Sequence, residues 1–123
     1  MPDVHAIVGF IVVALFTLGW LWGIALWGLR RGAGNWFWRW LAVVQVVAAL
    51  QALLGIVLLI LGYRPDTWLH YVYGFGPLIV LVAGHVAARS EQYAVRPWVP
   101  FAWASFICFG LTLRALMTGL GIG

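Results

Sequence analysis

Six polar side chains stand inside stretches that are otherwise apolar, and they are the residues able to do chemistry: His5, His70, His85, Gln45, Gln51 and Arg114. Ionisable groups are costly at membrane depth and face a protein interior when they occur there. Their levels along the helices therefore decide which of them can act together. At 1.5 Å per residue, His85 lies about 22 Å along its helix from His70. His5 and His70 each open an apolar run, and if neighbouring runs are antiparallel they lie on the same side, with His85 in the opposite half. Two neutral imidazoles approaching from different helices suit the axial positions of a haem iron, and apolar helices can bury the porphyrin around them. The expected cofactor is haem b, with His5 and His70 as metal ligands, serving electron transfer or haem holding.

Gln51 and Arg114 reach a similar outer level on the second and fourth runs, so every helix brings a polar group to that half. Arg114 lies further in than a comfortable snorkelling position and needs an anion. Asp3, Asp66, a haem propionate or an acid of another subunit would serve, as an alternative to simple snorkelling. In His70-Tyr71-Val72-Tyr73-Gly74, the residues His70, Tyr73 and Gly74 share a helix face at the three- and four-residue spacing, an arrangement able to seat a ring against glycine. The plainer reading is that His70 and the tyrosines are interfacial amphipaths. His85 returns to within roughly 60° of the His70 face. A second, inner haem held by His85 would need its other ligand from a second copy or a partner, because the chain has no second histidine at that inner level; the plainer reading is a capped or water-bonded core histidine.

The elements that must position these groups are four apolar runs, at residues 4–29, 36–62, 67–88 and 98–120, each long enough to cross a bilayer with about 20 residues. Gly32, Ala33, Gly34 and Asn35 separate the first two, residues 63–66 the next, and residues 90–97 the last. Connections this short predict an all-α fold, a single domain over 1–123, with four transmembrane helices in an up-down-up-down bundle. Arg30, Arg31 and Arg39 flank the first connection and Arg89 and Arg96 the third, whereas Arg64 in the second is offset by Asp66. Positive residues mark cytoplasmic loops. Both termini, including Gly123, are then expected outside, in a multi-pass protein of the cell membrane. The first run is read as a retained helix, not a signal peptide, since no basic segment precedes it and no convincing cleavage site follows.

Composition agrees: of 123 residues, 65% are hydrophobic and 8% charged, which leaves no room for a soluble catalytic or nucleic-acid-binding domain. The net charge of +4 comes from arginine and reads as topology, so no nucleic-acid partner is expected. No nucleophile stands beside a base, no carboxylates are paired and no zinc spacing occurs, so the chain leans away from being an enzyme. Cys108, the single cysteine, reads as a small buried apolar side chain. Among the nine tryptophans, Trp36, Trp38, Trp40, Trp68 and Trp98 fall near helix ends and read mostly as interfacial anchors. Trp20, Trp22, Trp27 and Trp103 lie deeper and could face lipid, a subunit or a macrocycle. Gly55, Gly62, Gly74, Gly76, Gly84 and Gly110 are candidates for close helix approach, and Pro77 predicts a bend in the third helix.

The stretch from Gln45 through Gln51-Ala52-Leu53-Leu54-Gly55 to Leu69-His70 and His85 resembles one four-helix half of the haem A synthase family, over about half of the chain. In that family a glutamine-glycine helix precedes a helix bearing a haem-ligand histidine. The resemblance implies a haem-binding bundle. It does not extend to a carboxylate beside a ligand histidine or to a second half, so it does not imply synthase activity. The alternative function is a cofactor-free accessory subunit of a larger respiratory or photosynthetic complex, touching membrane lipid and either other membrane subunits or a second copy of itself.

Overall fold

The computed structural model describes residues 2–65 and 67–121, so Asp66 and Gly123 lie outside the described residues. Four long helices account for most of the chain: α1 (Pro2–Leu29), α2 (Asn35–Ile60), α3 (Leu69–Ala88) and α4 (Val99–Gly119). A short 3-10 helix, Glu91–Tyr93, lies between α3 and α4, and the described residues contain no strand. All four helices are long and apolar enough to cross a membrane. Their bounds follow the apolar runs closely, and the differences arise at helix ends.

α2 stops two residues before Gly62 because the chain turns over there. Gly62 adopts φ +97°, its N–H bonds Leu59 O at 3.1 Å, and the next N–H, of Tyr63, bonds Leu58 O at 2.9 Å. This is the left-handed helix stop that glycine makes without steric cost. α1 ends in the same way but on a residue poorly suited to it. Arg30 has φ 53°, with Arg30 N–H to Trp27 O at 3.2 Å and Arg31 N–H to Leu26 O at 3.0 Å. The break expected at Gly32 and Gly34 thus begins earlier, on a residue with a Cβ.

α4 packs most extensively against α3 and α1, α1 against α2 to a lesser degree, and α2 against α3 least. Two glycines of α1 set the α1–α4 approach. A Cβ on Gly19 would overlap the Trp40 indole and lie 2.7 Å from Ser105 Oγ, and one on Gly23 would lie 2.6 Å from Ala102 Cβ. Gly19-xxx-Gly23 is the four-residue small-residue spacing that lets helices close up. Of the glycines expected in this role, Gly76 and Gly84 do face neighbours, at 3.2 Å from Leu111 and 3.4 Å from Phe101. Gly62, Gly74 and Gly110 face open space instead.

The core is densest where the end of α1 meets the starts of α2 and α4. Phe37, fully buried, contacts Trp22, Trp38 and Trp40 with ring centroids 5.3 to 5.6 Å apart, and Trp38 continues to Phe101 at 5.9 Å. Each such aromatic pair contributes roughly 0.5–1.5 kcal/mol beyond its buried area. Trp40 and Trp98 are therefore core residues, not the interfacial anchors their helix-end positions predict, and Trp40 Nε1 donates to Leu15 O at 3.0 Å. Trp36 and Trp68 are exposed, as anchors would be. Cys108 is fully buried, with Sγ 3.6 Å from the carbonyl of Pro77. That contact ties α4 to the one residue of α3 that lacks an N–H of its own.

Candidate functional site

The opposite end of the molecule is hollow. A cavity of about 270 Å³ lies between all four helices, and the segment Tyr63 to Pro65 of the α2–α3 connection also lines it. His5 and Gly9 reach it from α1, Gln51 and Gly55 from α2, His70 and Gly74 from α3, and Thr112, Ala115 and Gly119 from α4. The starts of α1 and α3 thus meet the ends of α2 and α4, which is what brings together residues distant in sequence. The remaining lining is mainly aliphatic. A few convergent polar groups in an apolar cavity is the usual make-up of a small-molecule site.

The His5 and His70 rings stand 6.2 Å apart, centroid to centroid, with their planes at 78°. His70 is held firmly from α4. Its Nδ1–H donates to Ala115 O at 2.9 Å and approaches Thr118 Oγ1 at 3.1 Å, while the Thr118 hydroxyl itself bonds back to Arg114 O at 2.9 Å. A neutral imidazole that donates through Nδ1 keeps its lone pair on Nε2, so the α4 backbone fixes which nitrogen can act as a ligand. Gly119 makes this possible, because a Cβ there would lie 2.9 Å from His70 Cε1.

His5 is held through its backbone, whose carbonyl accepts from Gln51 Nε2 at 2.8 Å. Its ring presses on Gly55, where a Cβ would sit 3.4 Å from Cε1. Two atoms here are buried without a hydrogen-bond partner among the described residues: His5 Nδ1 and Gln51 Oε1. Buried polar atoms are nearly always paired, so orphans in a cavity wall mark where a ligand or water completes the structure. A metal with nitrogen bonds of about 2 Å separates the centroids of two opposed imidazoles by roughly 6 Å. The observed separation fits two histidines sharing one metal centre, and Gly74 leaves the cavity wall bare of a side chain on α3. The histidine pair suits a haem iron, but the cavity of about 270 Å³ is smaller than a porphyrin and would have to widen between the helices to admit one. Among the described residues, no group of three or more His, Cys, Asp or Glu side chains converges as a multi-ligand metal site would require.

The other expected residues lie elsewhere. Arg114 is half-buried beside the cavity wall without lining it. Its guanidinium stands 5.6 Å over the Tyr73 ring, with Met117 Sδ at 3.9 Å from Nη1. Tyr73 likewise does not line the cavity, and Asp66, one expected partner of Arg114, is outside the described residues. The cation that does line the cavity is Arg64. Its Nη1 donates to Leu59 O at 2.7 Å, capping a carbonyl in the last turn of α2, and to Tyr63 O in the connection at 2.9 Å. The sequence carries a signal for Arg64, since an arginine just past a helix end caps free carbonyls. Thr118 and Ala115 carry no such signal, because their role depends on α4 lying against α3.

His85 is remote from this site. Its Nε2–H donates to Gln45 Oε1, Gln45 Nε2 donates to Leu41 O at 3.2 Å, and the ring meets Phe101 edge-on at 4.9 Å. His85 and Gln45 bridge α3 and α2 at the packed end, and His85 is exposed. No protein-family model, curated protein or solved structure matches the chain.

Proposed function

We propose that the chain is a small b-type haem protein of an energy-transducing membrane, with His5 and His70 as the axial ligands. The observation that carries this reading is the histidine pair: two rings 6.2 Å apart on different helices, one with its tautomer set by the α4 backbone, inside an apolar cavity. Haem b supplies reversible one-electron transfer where it is bound. The protein's part is to orient His70 through Ala115 and Thr118, to hold the His5 backbone through Gln51, and to keep water out with aliphatic walls. Arg64 in the cavity lining, and Arg114 beside the cavity wall, supply positive charge suited to porphyrin carboxylates. The resemblance to a half of the haem A synthase family points the same way, to holding a haem and not to modifying one.

In this reading the four helices form an up-down-up-down transmembrane bundle in the cell membrane. The histidine end and both termini face outward, and the arginine-rich connections face the cytoplasm. The seam between α2 and α3, more lightly packed than those of α1 with α2, α1 with α4 and α3 with α4, is where the bundle would widen to take a macrocycle. One observation favours the alternative of an accessory subunit: the His85–Gln45 pair is polar and lies on an exposed face, where another membrane subunit or a second copy would cover it better than lipid.

Absorption spectra of the detergent-purified protein, oxidised and dithionite-reduced, test the proposal. A Soret band with sharp reduced α and β bands is expected. His70→Ala should abolish it, His5→Ala should weaken it or turn it high-spin, and His85→Ala should leave it nearly unchanged. A parent protein that takes up no haem, even when haem is supplied during expression, would reject the proposal in favour of the accessory-subunit reading. Haem that depends on His85 alone would reject the pairing.

A further inference from the structure

The second concave feature lies at the arginine-rich end, on the outside of the α1–α4 contact. It is a groove of about 440 Å³ lined by Trp27 from α1, by Gln92, Tyr93 and Arg96 from the α3–α4 connection, and by Trp103 from α4. Trp27 and Trp103 are 65% and 63% exposed, unlike the tryptophans of the core. The Arg96 guanidinium stands 5.6 Å over the Trp27 ring, which holds the charge at the groove. The two connections at this end, with the start of α2, carry Arg30, Arg31, Arg39, Arg89 and Arg96 against the single carboxylate Glu91.

Such a groove has two chemistries in one place. Its lining includes a guanidinium, an amide and a phenol, all able to donate to phosphate oxygens, and arginine is the side chain best matched to them. Its floor is aromatic, exposed and continuous with helices apolar enough to lie in hydrocarbon. Exposed tryptophan belongs at the boundary of headgroup and acyl chain. A basic recess at the cytoplasmic end of membrane helices is complementary to an acidic headgroup.

We propose that this groove is a binding site for an anionic phospholipid, its phosphate against Arg96, Gln92 and Tyr93 and its acyl chain along Trp103. The inference rests on the transmembrane placement proposed above and not on haem.

The test measures thermal unfolding of the protein in a neutral detergent after adding phosphatidylglycerol, phosphatidylcholine or water-soluble glycerol phosphate. Phosphatidylglycerol should raise the melting temperature by several degrees, and the other two should not. R96Q should lose most of that rise, whereas R39Q, which changes the same net charge elsewhere at this end, should keep it. Native mass spectrometry should find about one phosphatidylglycerol retained per parent chain and less on W103A. An equal response to phosphatidylcholine would mean a general lipid annulus, and a response to glycerol phosphate would mean an anion site alone. An R39Q loss matching R96Q would mean diffuse attraction. Any of the three overturns the proposal. H70A protein, lacking the proposed haem, should respond to phosphatidylglycerol as the parent does, so the two proposals fail separately.

Discussion

The same four helices are solid at one end and hollow at the other. Around Phe37 they are locked by rings from α1, α2 and α4, and two glycines bring α1 and α4 into backbone contact. Beneath the α2–α3 connection they enclose a cavity whose glycines mostly face open space or a histidine. Glycine therefore does opposite work in the two halves. At Gly19 and Gly23 its missing side chain is filled by a neighbour, which stabilises the fold, and at Gly74, on the cavity wall, it is left clear. Close packing and open space are assigned to different ends of one short bundle, so a cavity can exist without a compensating extramembrane domain.

The contrast between the two ends is most easily broken at Gly19. A methyl group there would overlap the Trp40 indole and Ser105, and overpacking of a rigid ring contact costs roughly 3 kcal/mol, the upper end for such changes. Gly19→Ala should thus lower the melting temperature in detergent sharply, while Gly74→Ala should cost nothing and gain up to about 1 kcal/mol from helix propensity. If the two variants melt alike, the packed and hollow ends are not energetically distinct.

Gly55→Leu sharpens the functional side of the contrast. Its Cβ would meet His5 Cε1 at an ordinary 3.4 Å, with the rest of the side chain entering the cavity. Filling an existing space with apolar atoms changes stability by about 1 kcal/mol or less. The expected outcome is a protein that melts near the parent temperature and has lost its haem spectrum. A variant that keeps the spectrum would place the ligand away from this wall.

The four helices are legible in the amino-acid sequence from run length and hydropathy, since a bilayer-length apolar stretch has few alternatives. The His5–His70 encounter is legible from depth alone. Depth does not say which way a side chain points around its helix. Arg114 therefore shares a level with the histidines in sequence, yet its guanidinium lies over Tyr73. Trp40 reads as interfacial from its position near a helix start, whereas the helix face it occupies turns it into the core. Gly19 and Gly23 carry the four-residue spacing openly, but the more numerous glycines of the second and third helices draw the expectation of close packing away from them.

The smallest effect concerns how the two halves end their helices. Gly62 makes the left-handed stop of α2 at the hollow end with no Cβ to strain it, while Arg30 makes the same stop of α1 at the packed end with φ 53°. A non-glycine residue in that conformation costs about 1 kcal/mol. The hydrogen bonds of the stop come from the backbone of Arg30 and Arg31, so replacing the Arg30 side chain leaves them in place. Glycine loses more entropy on folding than other residues, by roughly 0.5–1 kcal/mol, and this offsets most of the relief. Arg30→Gly should therefore raise stability by a net of at most about 0.5 kcal/mol, read as a small increase in melting temperature in neutral detergent. A fall instead would show that the Arg30 side chain contributes contacts worth more than the strain it imposes. The effect should stay independent of Gly55→Leu, because the two sites lie at opposite ends and distant substitutions add.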